Sequence, residues 1–286
     1  MQKNILVSQD LSCYGQVSLQ TALPLLSSSG ANVSVLPTAL LSTHTGGFKD
    51  NTYLDLTQEM TAIVAHWQKL GLHFDGAYLG YLGLGPLQYL HKNLSSLLKT
   101  NALVLIDPVM GDNGQLYSGF DETYVTAMKK IVSQAQILTP NLTEAAFLLD
   151  EPDLITGGIA AAKTALVKLH EQYQIPTILI TGIALTDQQI AVVGNSDKQI
   201  WTETRPRFPT SYFGTGDIFA AALFTGLMYG LSEKKACSAA MDLLQTAILQ
   251  RQKSPEIDAR IGLNYSVALP NFLNHITQGG KHDKRQ

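Results

Sequence analysis

A short glycine-containing motif opens the apolar segment that carries the best candidate for catalysis. Phe213 is followed by Gly214-Thr215-Gly216-Asp217 and then by Ile-Phe-Ala-Ala-Ala-Leu, which predicts a helix that starts at the glycines. The first N–H groups of a helix have no partner within it, and the positive end of the helix dipole lies behind them. Gly214, Thr215 and Gly216 therefore predict an anion hole suited to a phosphoryl group.

The carboxylate of Asp217 stands in the first turn of the same predicted helix. It could accept a proton from a substrate hydroxyl while the anion hole holds the transferred phosphoryl group. The alternative is that Asp217 is only a favourable acidic residue at a helix start. Short Gly-x-Gly-Asp motifs are frequent, so the spacing alone leaves both interpretations open.

Two further polar segments follow predicted strands. Asp107-Pro-Val-Met-Gly-Asp112 offers two carboxylates that could hold Mg²⁺, or it is a turn with solvated acids. Thr139-Pro-Asn141-Leu-Thr-Glu144 could form a capping box at a helix start, and it could equally belong to a site. Both segments would lie at the carboxyl ends of parallel strands, where open α/β sheets bind their ligands.

The elements that must position these residues alternate along the chain. Short, continuously apolar runs predict strands that are buried on both faces of a parallel sheet. The predicted strands are Ile5–Val7, Val33–Leu36, Gly76–Leu79, Leu103–Ile106, Gln136–Leu138 and Thr177–Ile180. The predicted helices are Val17–Ser29, Leu56–Leu70, Leu87–Lys99, Asp121–Val132, Ile159–Tyr173, Asp217–Tyr229 and Glu233–Gln252.

This alternation predicts an α/β fold with a doubly wound, mostly parallel sheet and helices on both faces. Gln189–Val193 and Gln199–Thr204 predict an antiparallel pair around a turn at Gly194–Asp197. No linker or internal repeat divides the chain, so we expect one domain over residues 1–278. The polar residues 279–286 predict a disordered tail.

Composition excludes several classes of function. The formal net charge is −3 and no basic run occurs, so a nucleic-acid partner is not expected. The chain has no signal-peptide pattern and no stretch of roughly 18 apolar residues, so no membrane partner is expected either. With only two cysteines, Cys13 and Cys237, a reduced protein of the cytoplasm is predicted.

Together these motifs resemble those of the ribokinase-like superfamily, and most of all its pyridoxal and pyridoxamine kinases. Gly214-Thr-Gly-Asp217 resembles the C-terminal signature of the superfamily, and Asp107-Pro-Val-Met-Gly-Asp112 resembles an Asp-Pro-Val-x-Gly-Asp segment of vitamin B6 kinases. The resemblance extends from Ile5 to about Gln252. It implies a ribokinase-like fold, here without the separate lid domain of the sugar kinases, because the first helix follows the first strand almost at once.

The resemblance also implies roles for individual residues. Asp217 would be the catalytic base, and Gly214, Thr215 and Gly216 would bind the phosphate. The implied ATP-binding residues are Asp107, Tyr117, Thr139, Asn141, Thr181 and Gly182, and the implied Mg²⁺ residues are Asp107, Asp112 and Glu144. ATP and Mg²⁺ are the implied cofactors, a monovalent cation is left open, and a homodimer is expected because relatives form one.

The N-terminal half carries the implied vitamer pocket. Ser42-Thr-His44-Thr45-Gly resembles the Ser-Asn-His-Thr-Gly segment of pyridoxal kinases, and Gly80-Tyr81 matches a Gly-Tyr whose ring packs on the pyridine. Asp10 and Ser12 occupy the family's first loop, where many pyridoxal kinases have Ser in place of Asp10. That carboxylate could accept a hydrogen bond from the ring nitrogen or the ring hydroxyl. On residues alone, His44 could be structural and Tyr81 could be core.

The predicted function is ATP-dependent phosphorylation of the 5′-hydroxymethyl group of a B6 vitamer. A hydroxymethylpyrimidine kinase is the nearer alternative, although such relatives often carry a cysteine that the stretch between Cys13 and Cys237 lacks. A non-catalytic binding protein of the same fold is a distant alternative. Gly80, Gly83 and Gly85 fail the dinucleotide fingerprint because its third glycine position holds Gln88, and no Walker motif occurs.

Overall fold

An eight-stranded sheet forms the centre of the computed structural model, which describes residues 2–196 and 199–282. Its strand order is β13-β12-β11-β10-β7-β6-β1-β3. Neighbours from β11 to β3 pair in parallel, and β12 and β13 add two antiparallel strands at one edge. The strands of the described residues are β1 (Asn4–Ser8), β2 (Leu11–Ser12), β3 (Asn32–Val35), β4 (Ala39–Leu41), β5 (Tyr53–Asp55), β6 (Phe74–Leu79), β7 (Leu98–Ile106), β8 (Gly111–Asp112), β9 (Gln115–Leu116), β10 (Ile137–Leu138), β11 (Thr177–Thr186), β12 (Gln189–Ser196) and β13 (Gln199–Pro206).

Helices cover both faces of this sheet. Leu6 of β1 packs in one core with the helices α2 to α6, whereas Ile5 and Val7 pack in a second core with α1, α7, α8 and α9. The helices of the described residues are α1 (Ser18–Ser28), α2 (Thr57–Lys69), α3 (Leu84–Asn93), α4 (Glu122–Ile131), α5 (Leu142–Leu149), α6 (Gly158–Tyr173), α7 (Thr215–Met228), α8 (Glu233–Arg251) and α9 (Leu269–His282). The predicted doubly wound, mostly parallel α/β fold is confirmed.

The helix predicted over Leu87–Lys99 is wrong at both ends. Helix α3 covers Leu84–Asn93, a 3₁₀ turn follows over Leu94–Leu97, and β7 starts at Leu98. Leu98 pairs with Phe74 of the neighbouring strand, ahead of a register shift between Phe74 and Gly76. The pairing partner of Leu98 is distant in sequence. The local helical pattern, which extends to Lys99, therefore does not show that the helix ends at Asn93.

The antiparallel pair is confirmed, but the turn predicted at Gly194–Asp197 is wrong over its first three residues. Gly194, Asn195 and Ser196 belong to β12, and Asp197 lies outside the described residues. The side chain of Asn195 accepts a hydrogen bond from the N–H of Ile178 and donates one to the carbonyl of Pro176, both at 2.7 Å. A typical turn-forming residue therefore stabilises the sheet from within a strand.

The C-terminal helix α9 enters the segment predicted to be disordered. It runs to His282, four residues into the segment 279–286 that is predicted to be a disordered tail, and residues 283–286 lie outside the described residues. Phe272 and Ile276 are buried on the core side of this helix. Their four-residue spacing gives α9 an apolar face that anchors it to the second core.

A small three-stranded sheet was not predicted from the sequence. Strand β4 pairs in parallel with β2 and antiparallel with β5, each over two or three residues. Strands of this length are too short to show an alternating pattern. This sheet lies beside the loop that follows β1 and positions part of the site described below. In the part of the chain that the structure describes, no helix is long and apolar enough to cross a bilayer.

Candidate active site

The mouth of helix α7 is built from backbone conformations that glycine supplies. Gly214 is the N-cap residue with φ of 79°, and a Cβ there would lie 2.5 Å from the carbonyl oxygen of Gln16. Gly216 has the Asp107 carboxylate in front of it, since a Cβ on Gly216 would lie 3.9 Å from Asp107 Oδ2. The hydroxyl of Thr215 donates to the carbonyl of Tyr212 at 3.3 Å. The free N–H groups of the first turn thus open beside a carboxylate.

Asp217 is held in place by a backbone donor from another helix. Its Oδ2 atom accepts a hydrogen bond from the N–H of Ser18 at 2.9 Å. Burial raises the pKa of Asp217 to about 7, the Ser18 N–H opposes that rise, and the charge of Asp10 adds to it. A carboxyl group with a pKa near neutrality is well matched to general-base catalysis at physiological pH.

Asp107 comes from the carboxyl end of β7 and meets Asp217 across the top of the sheet. Burial raises the pKa of Asp107, the charge of Asp217 raises it further, and the Thr139 hydroxyl opposes the rise. Tyr78 lies fully buried next to both carboxyl groups, whose charges add to the effect of burial in raising its pKa. The structure therefore brings together two acids that are far apart in sequence, at the end of the sheet where open α/β folds bind their ligands.

The loop before α5 forms the predicted capping box and reaches the same cluster. Asn141 Oδ1 accepts from the N–H of Glu144, and Glu144 Oε2 accepts from the N–H of Asn141, both at 2.9 Å. Glu144 Oε1 also accepts from the N–H of Met110 at 3.2 Å. Burial, together with the charge of Asp107, raises the pKa of Glu144 well above its ordinary value. Glu144 can therefore cap α5 and also belong to the acidic cluster that contains Asp107.

Asp112 ends β8 and Tyr117 follows β9 in a tight hairpin formed by these two strands. Asn113 and Gly114 make the turn with φ values of 51° and 79°, which is typical of an Asn-Gly hairpin turn. The oxygens of Asp112 accept from the N–H and the side-chain amide of Asn113. Burial raises the pKa of Tyr117, and the charges of Glu144, Asp112 and Asp107 add to the rise.

The predicted metal residues do not make a closed metal site. Within residues 2–196 and 199–282, no three His, Cys, Asp or Glu side chains are placed to hold a metal ion by themselves. Both oxygens of Glu144 and of Asp112 accept hydrogen bonds from neighbouring N–H or amide groups. Any cation there would need phosphate oxygens or water to complete its coordination, as is usual for Mg²⁺.

Thr139, Thr181 and Gly182 line the same edge of the sheet. Thr181 donates its N–H to the carbonyl of Pro140 at 2.9 Å, which ties β11 to the loop before α5. Gly182 has φ of 70°, and a Cβ on it would meet no heavy atom within 4 Å, so open space lies above it. Strand β11 changes register between Ile180 and Ile183. The parallel pairing of β11 with β10 covers Thr177 and Ile178, so Thr181 and Gly182 lie beyond it, at the end of the sheet where the predicted nucleotide residues gather.

On the other side of Asp217, three polar groups share a corner of the cleft. Asp10 is buried after β1, and Ser12 donates its hydroxyl to Asp10 Oδ2 at 3.0 Å. Burial raises the pKa of Asp10, and hydrogen bonds from Ser18 and Ser12 oppose the rise. Burial raises the pKa of Tyr81, and Tyr53 and then Asp10 add to the rise.

His44 packs against Phe213, the residue that precedes Gly214 of the anion hole. Its Nε2 atom lies 2.7 Å from the carbonyl oxygen of Arg260, and its ring centroid lies 4.8 Å from that of Phe213. Gly46 leaves no room for a side chain, because a Cβ would lie 2.5 Å from Phe213 Cε1. Thr45, between them, is partly buried. The structure thus gives His44 a packing role, and the loop rests on the residue that precedes Gly214.

Two residues of the site were missed by the sequence analysis. Tyr53 of β5 joins Asp10 and Tyr81, and burial with the charges of Asp55 and Asp10 raises the pKa of Tyr53 to about 12. Ser18, at the start of α1, donates its N–H to Asp217. Neither residue stands in a motif. The pairing of β5 with β4 brings Tyr53 to the site, and the fold around α1 brings Ser18 there. No local sequence pattern predicts either position.

Comparisons of the sequence and of the structure with known proteins both identify related kinases. The sequence model of the phosphomethylpyrimidine kinase family matches residues 83–262. A proposed phosphomethylpyrimidine kinase of Bacteroides thetaiotaomicron, crystallised with pyridoxal, is 35% identical with a TM-score of 0.89 and covers 95% of this chain and 96% of its own. Pyridoxal kinase of Lactobacillus plantarum is 33% identical with a TM-score of 0.88, over 96% and 98% of the two chains. Pyridoxal kinase of Leishmania donovani, in complex with ADP and pyridoxamine, is 25% identical with a TM-score of 0.83, over 96% of each chain.

Proposed function

The chain belongs to the phosphomethylpyrimidine kinase family, and from that premise we propose that it transfers the γ-phosphoryl group of ATP to the 5′-hydroxymethyl oxygen of pyridoxal, pyridoxine or pyridoxamine. The observation that carries the proposal is the position of Asp217. Its carboxylate, with a pKa raised to about 7, stands in the first turn of a helix whose Gly-rich N-terminus is open. In-line phosphoryl transfer needs a base and anion donors in that relation.

In the reaction, Asp217 takes the proton of the vitamer hydroxyl as its oxygen attacks the γ-phosphorus. The new O–P bond forms, the bond to the β–γ bridging oxygen breaks, and ADP leaves with that electron pair. The N–H groups of Gly214, Thr215 and Gly216 stabilise the charge on the phosphoryl oxygens. The Ser18 N–H keeps the carboxylate from rotating away, since it holds one oxygen at 2.9 Å and leaves the other to act.

The vitamer would lie between the loop after β1 and Tyr81. Asp10 offers a buried acceptor for the ring nitrogen or ring hydroxyl, and Ser12 fixes the orientation of that carboxylate. Tyr81 would pack on the ring, and Thr45 would contact a ring substituent. His44 would contribute by holding the loop against Phe213, in agreement with its hydrogen bond to the Arg260 carbonyl.

ATP would lie along the opposite edge, with its phosphates towards α7. Asp107, Tyr117, Thr139, Asn141, Thr181 and Gly182 are the residues proposed to contact it. Gly182 supports this placement because the space above it is open. Solved kinases of this fold carry ADP, as in the Leishmania donovani complex.

The negative charges of the residues near the proposed phosphate site are compatible with Mg²⁺ binding. Asp107 and Glu144 are buried acids, and the charge of Asp107 raises the pKa of Glu144, a repulsion that a cation would relieve. Asp107 would hold the ion most directly, with Asp112 and Glu144 acting through water. When bound, Mg²⁺ supplies positive charge that stabilises the phosphate oxygens.

A hydroxymethylpyrimidine kinase is the second candidate function, because the matched family is named for that activity. Its substrate also carries a hydroxymethyl group on a nitrogen heterocycle, so Asp217 and the anion hole would do the same chemistry. A homodimer, a location in the cytoplasm, one domain over residues 1–278 and a monovalent cation remain predictions.

Initial rates of ADP release with pyridoxal, pyridoxine, pyridoxamine and hydroxymethylpyrimidine separate these functions. We expect the highest kcat/KM on a B6 vitamer, with phosphorylated vitamer formed in equal amount to ADP. A preference for the pyrimidine would favour the second candidate. Absence of ADP release with all four alcohols, despite measurable vitamer binding, would indicate a non-catalytic binding protein.

A further inference from the structure

Ser18 has a backbone conformation that a serine rarely adopts. It begins α1 with φ of 46°, in the left-handed region, and it is 6% exposed. Among residues 2–196 and 199–282, the other positive-φ residues that are not glycine are Asp50, Asn113, Asp150 and Gln174, and all four are exposed. Strained backbone of this kind persists where surrounding structure enforces it, and it concentrates at functional sites.

The segment before Ser18 is clamped from two sides. The N–H of Gln16 donates to the carbonyl of Ile261, and the Gln16 carbonyl faces both Gly214 and Gly262 so closely that a Cβ on either would lie within 2.6 Å of it. These contacts fix where α1 starts relative to α7. Given that placement, the positive φ turns the Ser18 N–H towards Asp217 Oδ2, at 2.9 Å.

We propose that Ser18 is a positioning residue: its strained backbone aims the N–H at Asp217 and fixes the orientation of that carboxylate in front of the anion hole. As the first residue of α1, Ser18 has no N–H partner within its own helix, so the donor is available for this purpose. Only the identification of Asp217 as the base rests on the proposed function. The hydrogen bond and the strain are properties of the fold.

Ser18 also connects Asp217 to the vitamer side of the cleft. Its hydroxyl lowers the pKa of Asp10, and the N–H of the next residue, Leu19, donates to the Asp10 carbonyl at 3.3 Å. The groups that face Asp217 are Asp10 after β1, Tyr78 on β6, Asp107 after β7 and Tyr117. None of these side chains carries a positive charge, so the Ser18 N–H supplies a favourable interaction for the ionised carboxylate.

Hydrogen exchange of the Ser18 amide tests the contact without any measurement of activity. In Asp217→Ala the acceptor is lost, and we expect the Ser18 amide to exchange at least roughly 10-fold faster than in the wild type. The Leu19 amide is the internal control, because its acceptor is the Asp10 carbonyl, and its rate should not change. Equal Ser18 rates in the two proteins would overturn the proposal, whether or not the chain phosphorylates vitamers.

Kinetics of Ser18→Val and Ser18→Gly test the positioning role. A β-branched residue cannot hold a positive φ without severe strain, so we expect Ser18→Val to move the N–H and to lower kcat by about 10- to 100-fold, with KM for ATP unchanged. Ser18→Gly keeps both the N–H and the conformation but removes the hydroxyl that bonds Asp10, so its kcat should be well above that of Ser18→Val. Gln174→Val is the matched control, since it strains an exposed left-handed residue with φ of 56° at the end of α6.

The Gln174→Val control distinguishes a loss of stability from a change in the orientation of the Asp217 carboxylate. Gln174→Val and Ser18→Val should both melt at lower temperature, but only Ser18→Val should lose kcat. Equal kcat in the Val and Gly variants of Ser18 would refute the positioning role. If Ser18→Val does not fold, an ester in place of the Ser18 amide replaces the N–H with an oxygen and keeps the serine side chain, and retention of full kcat in that protein would refute the role equally.

Discussion

Replacing Asp217 with Asn should lower activity and raise stability at the same time. The introduced amide oxygen would still accept the hydrogen bond from Ser18, but the side chain could not take a proton from the substrate. We therefore expect kcat to fall by about 10²–10⁴-fold, the usual contribution of a general base. Vitamer binding should be nearly intact, because the side chain keeps its shape.

The expected gain in stability follows from the pKa of the same group. Burial raises the pKa of Asp217 from 3.8 to about 7, a shift of roughly three pH units that corresponds to at most about 4 kcal/mol. Asp217 is partly exposed, and we expect solvent to reduce this to about 2 kcal/mol, or roughly 4 °C in melting temperature. The neutral carboxyl stabilises the fold below pH 3.8, and this stabilisation is lost as the pH rises through 7.

The assay is thermal unfolding of wild type and Asp217→Asn at a series of pH values, with initial rates measured on the same preparations. The stability advantage of the variant should be largest near pH 8 and should vanish towards pH 4. Glu171→Gln, an exposed carboxylate on α6, is the control and should keep wild-type activity. A pH-independent difference would show that burial does not raise the pKa of Asp217, and full activity in the variant would remove Asp217 from the mechanism.

Three further substitutions test the anion hole and the vitamer pocket. Gly214→Ala should lower kcat by about 100-fold, because its Cβ would lie 2.5 Å from the Gln16 carbonyl oxygen and displace the mouth of α7. Gly71→Ala is the control in initial-rate assays, since Gly71 also has a positive φ, of 66°, but has nothing within 4 Å; equal loss in both would mean that strain alone is responsible. Thr45→Val and Tyr81→Ala should each raise KM for the vitamer and leave KM for ATP unchanged. Weaker ATP binding in either variant would contradict the proposed division of the cleft.

The fold was predictable because the pattern that specifies it is local. Runs such as Ile5-Leu6-Val7 are apolar at every position, and a strand of that kind is stable only when both faces are covered. The structure places Leu6 in one core and its two neighbours in the other. Helix starts with chemical signatures were predictable for the same reason, since the capping box at Asn141 and Glu144 is specified within four residues.

The boundaries that failed depend on partners that are distant in sequence. The helical pattern extends to Lys99, but β7 already begins at Leu98 because Leu98 pairs with Phe74. Asn195 lies within β12 because its side chain bonds the backbone of Ile178 and Pro176. The short strands β2, β4 and β5 exist only through pairing with one another.

By itself, the sequence determined which groups are available for chemistry: an acid after two glycines at a helix start, and acids at strand ends. Only the tertiary structure decided how those groups act. The proximity of Asp107 to Asp217, the rise of both pKa values and the Ser18 N–H that opposes the rise at Asp217 all arise from segments that meet in space. A pKa depends on the solvent and charges around a group, and a strained φ depends on the contacts that enforce it. Neither property is encoded at a single position of the chain.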